Sequence, residues 1–149
     1  MRFSVHGRPA RAIRVAADIT LSDSTSEAIA AVEGGAEHFV AALATAIRDQ
    51  FRDNVHVITG AMRASASVVT PDGSDYAQNV EAASALNPKA DFAPEEAVGP
   101  GEAAVQVPVG YAGYEEFGTV NRPAHPALVP AIETVVSNAE QIAREVFGL

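Results

Sequence analysis

Tyr111-Ala112-Gly113-Tyr114-Glu115-Glu116-Phe117-Gly118-Thr119-Val120-Asn121-Arg122-Pro123-Ala124-His125-Pro126-Ala127-Leu128-Val129-Pro130 joins a strand pattern to a helix pattern, and its reading decides the fold. Just upstream, Ala103, Val105, Val107 and Val109 fall on alternate positions, the period of a half-buried strand. Downstream, Leu128, Ile132, Val135, Val136, Ala139, Ile142, Ala143, Val146 and Phe147 recur at steps of three and four, which predicts one amphipathic helix. The segment between them therefore reads as a structured elbow. Gly118 permits a backbone conformation that other residues resist. Pro123 and Pro126 keep the residues before them extended, and Pro126 suits the first turn of the following helix.

Working outward toward the N-terminus, Ile13, Val15, Ala17, Ile19 and Leu21 alternate with Arg14, Ala16, Asp18, Thr20 and Ser22, a strand period. Ser24 with Glu27 three residues later is a capping-box candidate. A long helix then runs to about Arg52, with Ile29, Val32, Ala36, Phe39, Val40, Leu43, Ile47 and Phe51 on one stripe. From Glu27 to Arg52 such a helix is roughly 39 Å long at about 1.5 Å per residue. Gly34-Gly35 inside it cost about 1 kcal/mol each relative to alanine, so a bend or a separate first piece is expected there. Ser65–Thr70 reads as a strand, Pro71–Asp75 as a turn and Tyr76–Leu86 as a short helix. Asn87–Gly101 holds three prolines, two glycines and several acids, and reads as an exposed loop. Together these predict an α+β fold: a long N-terminal helix and a C-terminal helix packed on a small, mostly antiparallel sheet, with a long acidic loop over 71–101. Residues 1–25 form a basic arm or strand, and 26–149 one domain.

A chain of 149 residues, 48% of them hydrophobic, can bury one core. That core is thinly filled, because aromatics are only 6% and tryptophan is absent, which points to support from neighbouring subunits. No apolar run approaches the roughly 20 residues of a membrane span, so no membrane partner is expected. The opening residues lack the apolar centre of a secretion signal. Without cysteine there are no disulfides and no thiolate metal sites, consistent with assembly in a reducing cytosol. The net charge of −9 is unevenly placed: Arg2, Arg8, Arg11 and Arg14 precede the first acid, Asp18, and the other six bases share the chain with all 19 acids. A nucleic-acid reader would carry a broad basic face, and this chain does not. Its arm either is a solvated end or reaches an acidic neighbour such as another copy.

Signals of catalysis are weak. Glu115 and Glu116 are adjacent, so they diverge on a helix or a strand and do not converge on one substrate. The reading they favour is that one faces a cation such as Arg122 while the other is solvated. His6, His38, His56 and His125 lack metal-ligand spacing. His125 between Ala124 and Pro126 reads as a hydrogen-bonding or contact residue. There is no Gly-x-Ser-x-Gly elbow and no phosphate loop. No cofactor is expected. Tyr111, Tyr114 and Phe117 are open to two readings, core packing or partner contact. Arg63, alone among Ala and Ser, is placed to meet a carboxylate such as Glu116.

Tyr111–Thr119 followed by Pro123-Ala124-His125-Pro126-Ala127-Leu128-Val129-Pro130-Ala131 resembles the C-terminal signature of the tail-completion (neck, or head–tail joining) proteins of long-tailed bacteriophages. That signature runs Tyr-Ala-x-x-x-Glu-Phe-Gly-Thr, then Pro-Ala-x-Pro-Phe-x-x-Pro-Ala. A second mark, Thr59-Gly60-Ala61-Met62-Arg63-Ala64-Ser65, is similar to that family's Thr-Gly-x-Leu-Arg-x-Ser at the end of its long first helix. Ala127 and Met62 stand where the family usually has phenylalanine and leucine. The resemblance covers roughly Glu27 to Phe147.

It implies a non-enzymatic structural virion protein, assembled in the host cytoplasm. Its copies would close into a cyclic ring, expected to be a hexamer, between a head-side connector or stopper protein and the tail terminator or tail tube. DNA would pass through the lumen without sequence-specific binding. A ring needs two different patches per subunit, here the basic arm and the acidic 71–101 loop, and an acidic lumen would repel phosphates. The interface candidates are Arg8, Arg11, Arg14, Arg63, Tyr111, Tyr114, Glu116, Phe117, Arg122 and His125. A tail terminator capping the tube is the nearest alternative, and a small cytosolic enzyme using Glu115, Glu116 or His125 a distant one.

Overall fold

The computed structural model describes residues 2–6, 13–18 and 26–148, with side chains from Gly34 onward. The stripe read from the sequence becomes the inner face of α1 (Ser26–Asn54), where Ala36, Phe39, Val40, Leu43, Ile47 and Phe51 are all buried. At 29 residues this helix is about 43 Å long at 1.5 Å per residue. It crosses Gly34-Gly35 without breaking. A Cβ at Gly35 would sit 2.4 Å from Cε1 of Phe147, so the glycine makes room for the edge of that ring, which also packs on Phe39 with ring centroids 6.1 Å apart. Ser24 of the expected capping box lies outside the described residues.

After α1 come α2 (Ala61–Ser65), the hairpin β3 (Ser67–Thr70) and β4 (Gly73–Ser74), then α3 (Tyr76–Leu86) and the strand β5 (Glu102–Val107). The hairpin turns at Pro71-Asp72, where Thr70 Oγ1 donates to the Gly73 carbonyl at 3.0 Å. With β1 (Arg2–His6) and β2 (Ile13–Asp18) these strands form one antiparallel sheet in the order β1-β2-β5-β3-β4. The chain is thus α+β, with helices on a small antiparallel sheet, as its patterning predicts. The strand expected over the basic arm is present as β2, and Arg14 lies there in register with Gln106. Arg8 and Arg11 lie outside the described residues.

Two sequence expectations need correction. The strand after Gly101 is not half-buried: every residue from Ala103 to Val109 is buried, on both faces. Ala103, Val105, Val107 and Val109 join the core beneath α1. The opposite face is covered by residues 94–96 of the acidic loop, which Gln106 clamps: its Nε2 donates to the Pro94 carbonyl at 2.8 Å and its Oε1 accepts the Glu96 N–H at 3.3 Å. The 71–101 stretch is therefore only partly loop. It contains β4 and α3, and its tail is tied down by Gln106 and by the Phe92–Val109 bridge.

The C-terminal helix is two helices, α5 (Leu128–Ser137) and α6 (Ala139–Phe147). Asn138 breaks them, with its N–H on the Val135 carbonyl at 3.0 Å and its side-chain amide on the Thr134 carbonyl at 3.1 Å. A side chain that bonds local backbone offers an alternative to the next helical hydrogen bond. Apolar periodicity runs straight through the break, which is why it reads as one helix.

Candidate functional site

The elbow starts where β5 ends. Tyr111 precedes the short helix α4 (Ala112–Phe117), whose inner face is Ala112, Gly113 and Glu116. Successive helical residues point about 100° apart, so Glu115 and Glu116 go to different places. Glu116 is buried, 3% exposed. Its Oε2 accepts the backbone N–H groups of Ala127 at 2.7 Å and Leu128 at 2.9 Å, and its Oε1 that of Val129 at 2.8 Å. These are the otherwise unpaired donors at the start of α5. The next residue, Pro130, has no N–H to satisfy. Among the described residues no cation pairs with this carboxylate; three charge-assisted hydrogen bonds and the positive end of the helix take that role. Pro126 lies outside the helix, just before its capping residue Ala127, and Pro130 is the proline within the first turn.

Between Glu116 and α5 the chain makes an exposed excursion. Gly118 adopts φ +72°, ψ 179°, and a Cβ there would sit 2.8 Å from the Ala124 nitrogen and 3.0 Å from the Arg122 carbonyl oxygen. Thr119 and Arg122 pair across a tight turn that leaves Val120 fully exposed. The His125 N–H returns to the Glu115 carbonyl at 2.6 Å, and its ring stacks on His56 with centroids 5.8 Å apart. Asn54, at the end of α1, donates to the Ala127 carbonyl at 3.2 Å. The elbow is thereby fastened to both the end of α1 and the loop that follows it.

That loop leads into the second sequence mark. Gly60, at φ +84°, caps α2, and Thr59 Oγ1 accepts the Ala61 N–H at 3.2 Å. Met62 is buried in the core, and Arg63 faces outward. The two marks meet at a cavity of about 340 Å³, lined by Thr59, Gly60, Met62 and Arg63 from one and by Tyr111, Glu115 and Arg122 from the other. His56, Ile58 and Asn87 complete it.

The candidate residues distribute as follows. Arg122 pairs with Glu115 at 3.2 Å, the contact the sequence suggested. Its neighbour Glu116 is a buried helix cap, and neither solvated nor a partner of Arg63. Arg63 makes no ion pair or hydrogen bond among the described residues and lines the cavity. The aromatic trio divides: Tyr111 packs partly against the core, while Tyr114 and Phe117 are exposed. His125 is exposed and engaged with His56. Of the three residues named for an enzyme, only Glu115 reaches the cavity.

The sequence did not point to the basic group behind Arg63. Arg52, on α1, donates to the Ala66 carbonyl at 2.9 Å, and its Nε is buried without a hydrogen-bond partner among the described residues. Burial first, then the neighbouring Arg48 guanidinium, hold Arg52 below arginine's ordinary value, and Arg63 adds to that effect. Arg48 is bound to Asp75, whose other oxygen accepts the Val68 N–H at 2.8 Å. Spacing on α1 could have placed Arg48 and Arg52 on one face; their approach to Arg63 is tertiary.

No group of three His, Cys, Asp or Glu among the described residues is arranged to hold a metal, and no helix there is long and apolar enough to cross a membrane. No protein-family model matches the chain, nor does any curated protein or solved structure.

Proposed function

We propose that this chain is a structural subunit of the neck of a long-tailed bacteriophage, a tail-completion protein. Its copies form a closed ring, expected to be a hexamer, between the head-side connector and the tail tube, and DNA passes through the lumen. The observation that carries this reading is the convergence of two separate sequence marks. Thr59–Ser65 and Tyr111–Ala131 each resemble that family, and both contribute walls to one cavity. Chance likenesses in two segments have no reason to meet in space. The net charge of −9 suits a conduit that repels phosphate and lets a genome slide.

Electron microscopy of the purified chain, alone and mixed with tail tubes, tests the proposal. Rings that join tube ends through an intermediate layer are expected. Rings that seat directly on the tube as its last layer would reassign the chain as a tail terminator. A persistent monomer that never associates with tubes would refute both.

A further inference from the structure

We propose that the cavity between the two sequence marks is a binding site for a small organic monocarboxylate, an acid group carried on an apolar body. The inference stands apart from the neck reading, because it needs neither self-association nor a tail.

The hydrogen-bonding balance of the cavity carries it. Three of its side-chain acceptors are already engaged. Glu115 Oε1 pairs with Arg122 at 3.2 Å, Thr59 Oγ1 accepts the Ala61 N–H at 3.2 Å, and Asn87 Oδ1 accepts the Lys89 N–H at 3.3 Å. The donors, by contrast, are unspent. Arg63 makes no hydrogen bond or ion pair among the described residues, and neither the Tyr111 hydroxyl nor the Asn87 side-chain N–H groups donate to any of them. A wall of free donors beside engaged acceptors calls for a ligand that accepts. The guanidinium of Arg63 is a planar fork of N–H groups with no acceptor of its own, and such a fork holds a carboxylate bidentately.

Charge and shape narrow the ligand further. The Glu115–Arg122 pair is neutral overall, so Arg63 leaves the cavity one uncompensated positive charge, which matches a single negative one. Met62 is buried, Tyr111 is half-buried, and Ile58 at the rim is 75% exposed, an apolar surface that the body of a ligand would cover. At about 340 Å³ the cavity lies at the small end of ligand sites, with room for a ring and a short chain. A phosphate dianion fits worse, because Glu115 would repel it and the apolar walls offer it nothing.

Titration of the isotope-labelled chain with hydrocinnamate, followed through backbone amide chemical shifts, is the test. Hydrocinnamamide, the same body without the charge, and inorganic phosphate are the parallel probes. Saturable shifts at Thr59–Arg63, Asn87, Tyr111 and Arg122 are expected with hydrocinnamate, with a Kd on the order of 1 mM for a ligand of this size. The neutral amide is expected to bind about tenfold more weakly. Arg63→Gln, on an exposed side chain, should weaken the acid about tenfold and leave the amide unchanged, a split that a general disturbance of the fold would not produce. Tyr111→Phe should weaken the acid about fivefold. No saturable shift with hydrocinnamate, or equal affinity for acid and amide, would overturn the proposal. So would an Arg63→Gln variant that weakens both alike. Phosphate that displaces hydrocinnamate at equal concentration would assign the cavity to phosphorylated ligands and overturn it as well. Each of these failures would leave the ring reading standing.

Discussion

The Glu116 carboxylate receives the Leu128 backbone N–H at 2.9 Å and thereby fixes where α5 begins. The acceptor comes from another helix, eleven or more residues upstream, and not from the position where capping side chains usually sit. With Ala127 and Val129 on the same carboxylate, the whole donor set of the first turn depends on one buried side chain. Glu116→Gln keeps the shape but replaces one acceptor oxygen by a donor facing N–H groups. A loss of about 2–4 kcal/mol is expected, from hydrogen bonds to a charged group worth roughly 1.5–3 kcal/mol each. Urea unfolding measures it, and an unchanged midpoint would remove Glu116 from this role.

Gly118→Ala should be costly out of proportion to one methyl group. The backbone there is in a region nearly restricted to glycine, worth about 1–3 kcal/mol to a side chain. The added carbon would also press on the Ala124 nitrogen and the Arg122 oxygen, both backbone atoms with little room to yield. Thermal unfolding should show a lower midpoint, whereas Gly34→Ala, where a Cβ meets nothing, should raise it.

Gly35→Ala is expected to forfeit the helix-propensity gain of about 1 kcal/mol that Gly34→Ala realises. The Phe147 ring occupies the space. Combining Gly35→Ala with Phe147→Ala should recover part of that gain, a non-additivity that a double-mutant cycle reads directly. Strict additivity would mean the ring does not sit on the glycine.

Burial, and secondarily the Glu95 charge, raise the Tyr76 phenol above its ordinary value near 10. The phenol donates to the Ala93 carbonyl. A raised folded value means the native state holds the proton longer than the unfolded chain. The associated stability is therefore complete below pH about 10 and is lost as pH climbs through the folded value. Tyr76→Phe should flatten the stability profile above pH 10 while lowering stability at neutral pH, measured by denaturant titrations across that range.

What the residues revealed in advance follows from how local each signal is. The α1 stripe was legible because Phe39, Leu43, Ile47 and Phe51 face one core and their neighbours face outward. The second buried face of β5 was hidden because it is built from Ala104 and Gln106, a small residue and a polar one, under a segment contributed from elsewhere. The break at Asn138 was masked by apolar spacing that continues on both sides. Glu115 with Arg122 could be anticipated within one turn. Glu116 could not: no spacing rule links a glutamate to a helix that starts twelve residues later, across a proline-rich excursion. The meeting of Arg52 with Arg63 likewise depends on how α1 and α2 pack.

Because the backbone amides of Ala127, Leu128 and Val129 all terminate on one side chain of α4, neither partner can come loose alone. In deuterated solvent those three amides should trade their protons in a single concerted event, at the rate at which α4 swings away. Whatever presses on the outward-facing rings of Tyr114 and Phe117 would set that rate, so contact at the surface would be felt at the root of the final helices.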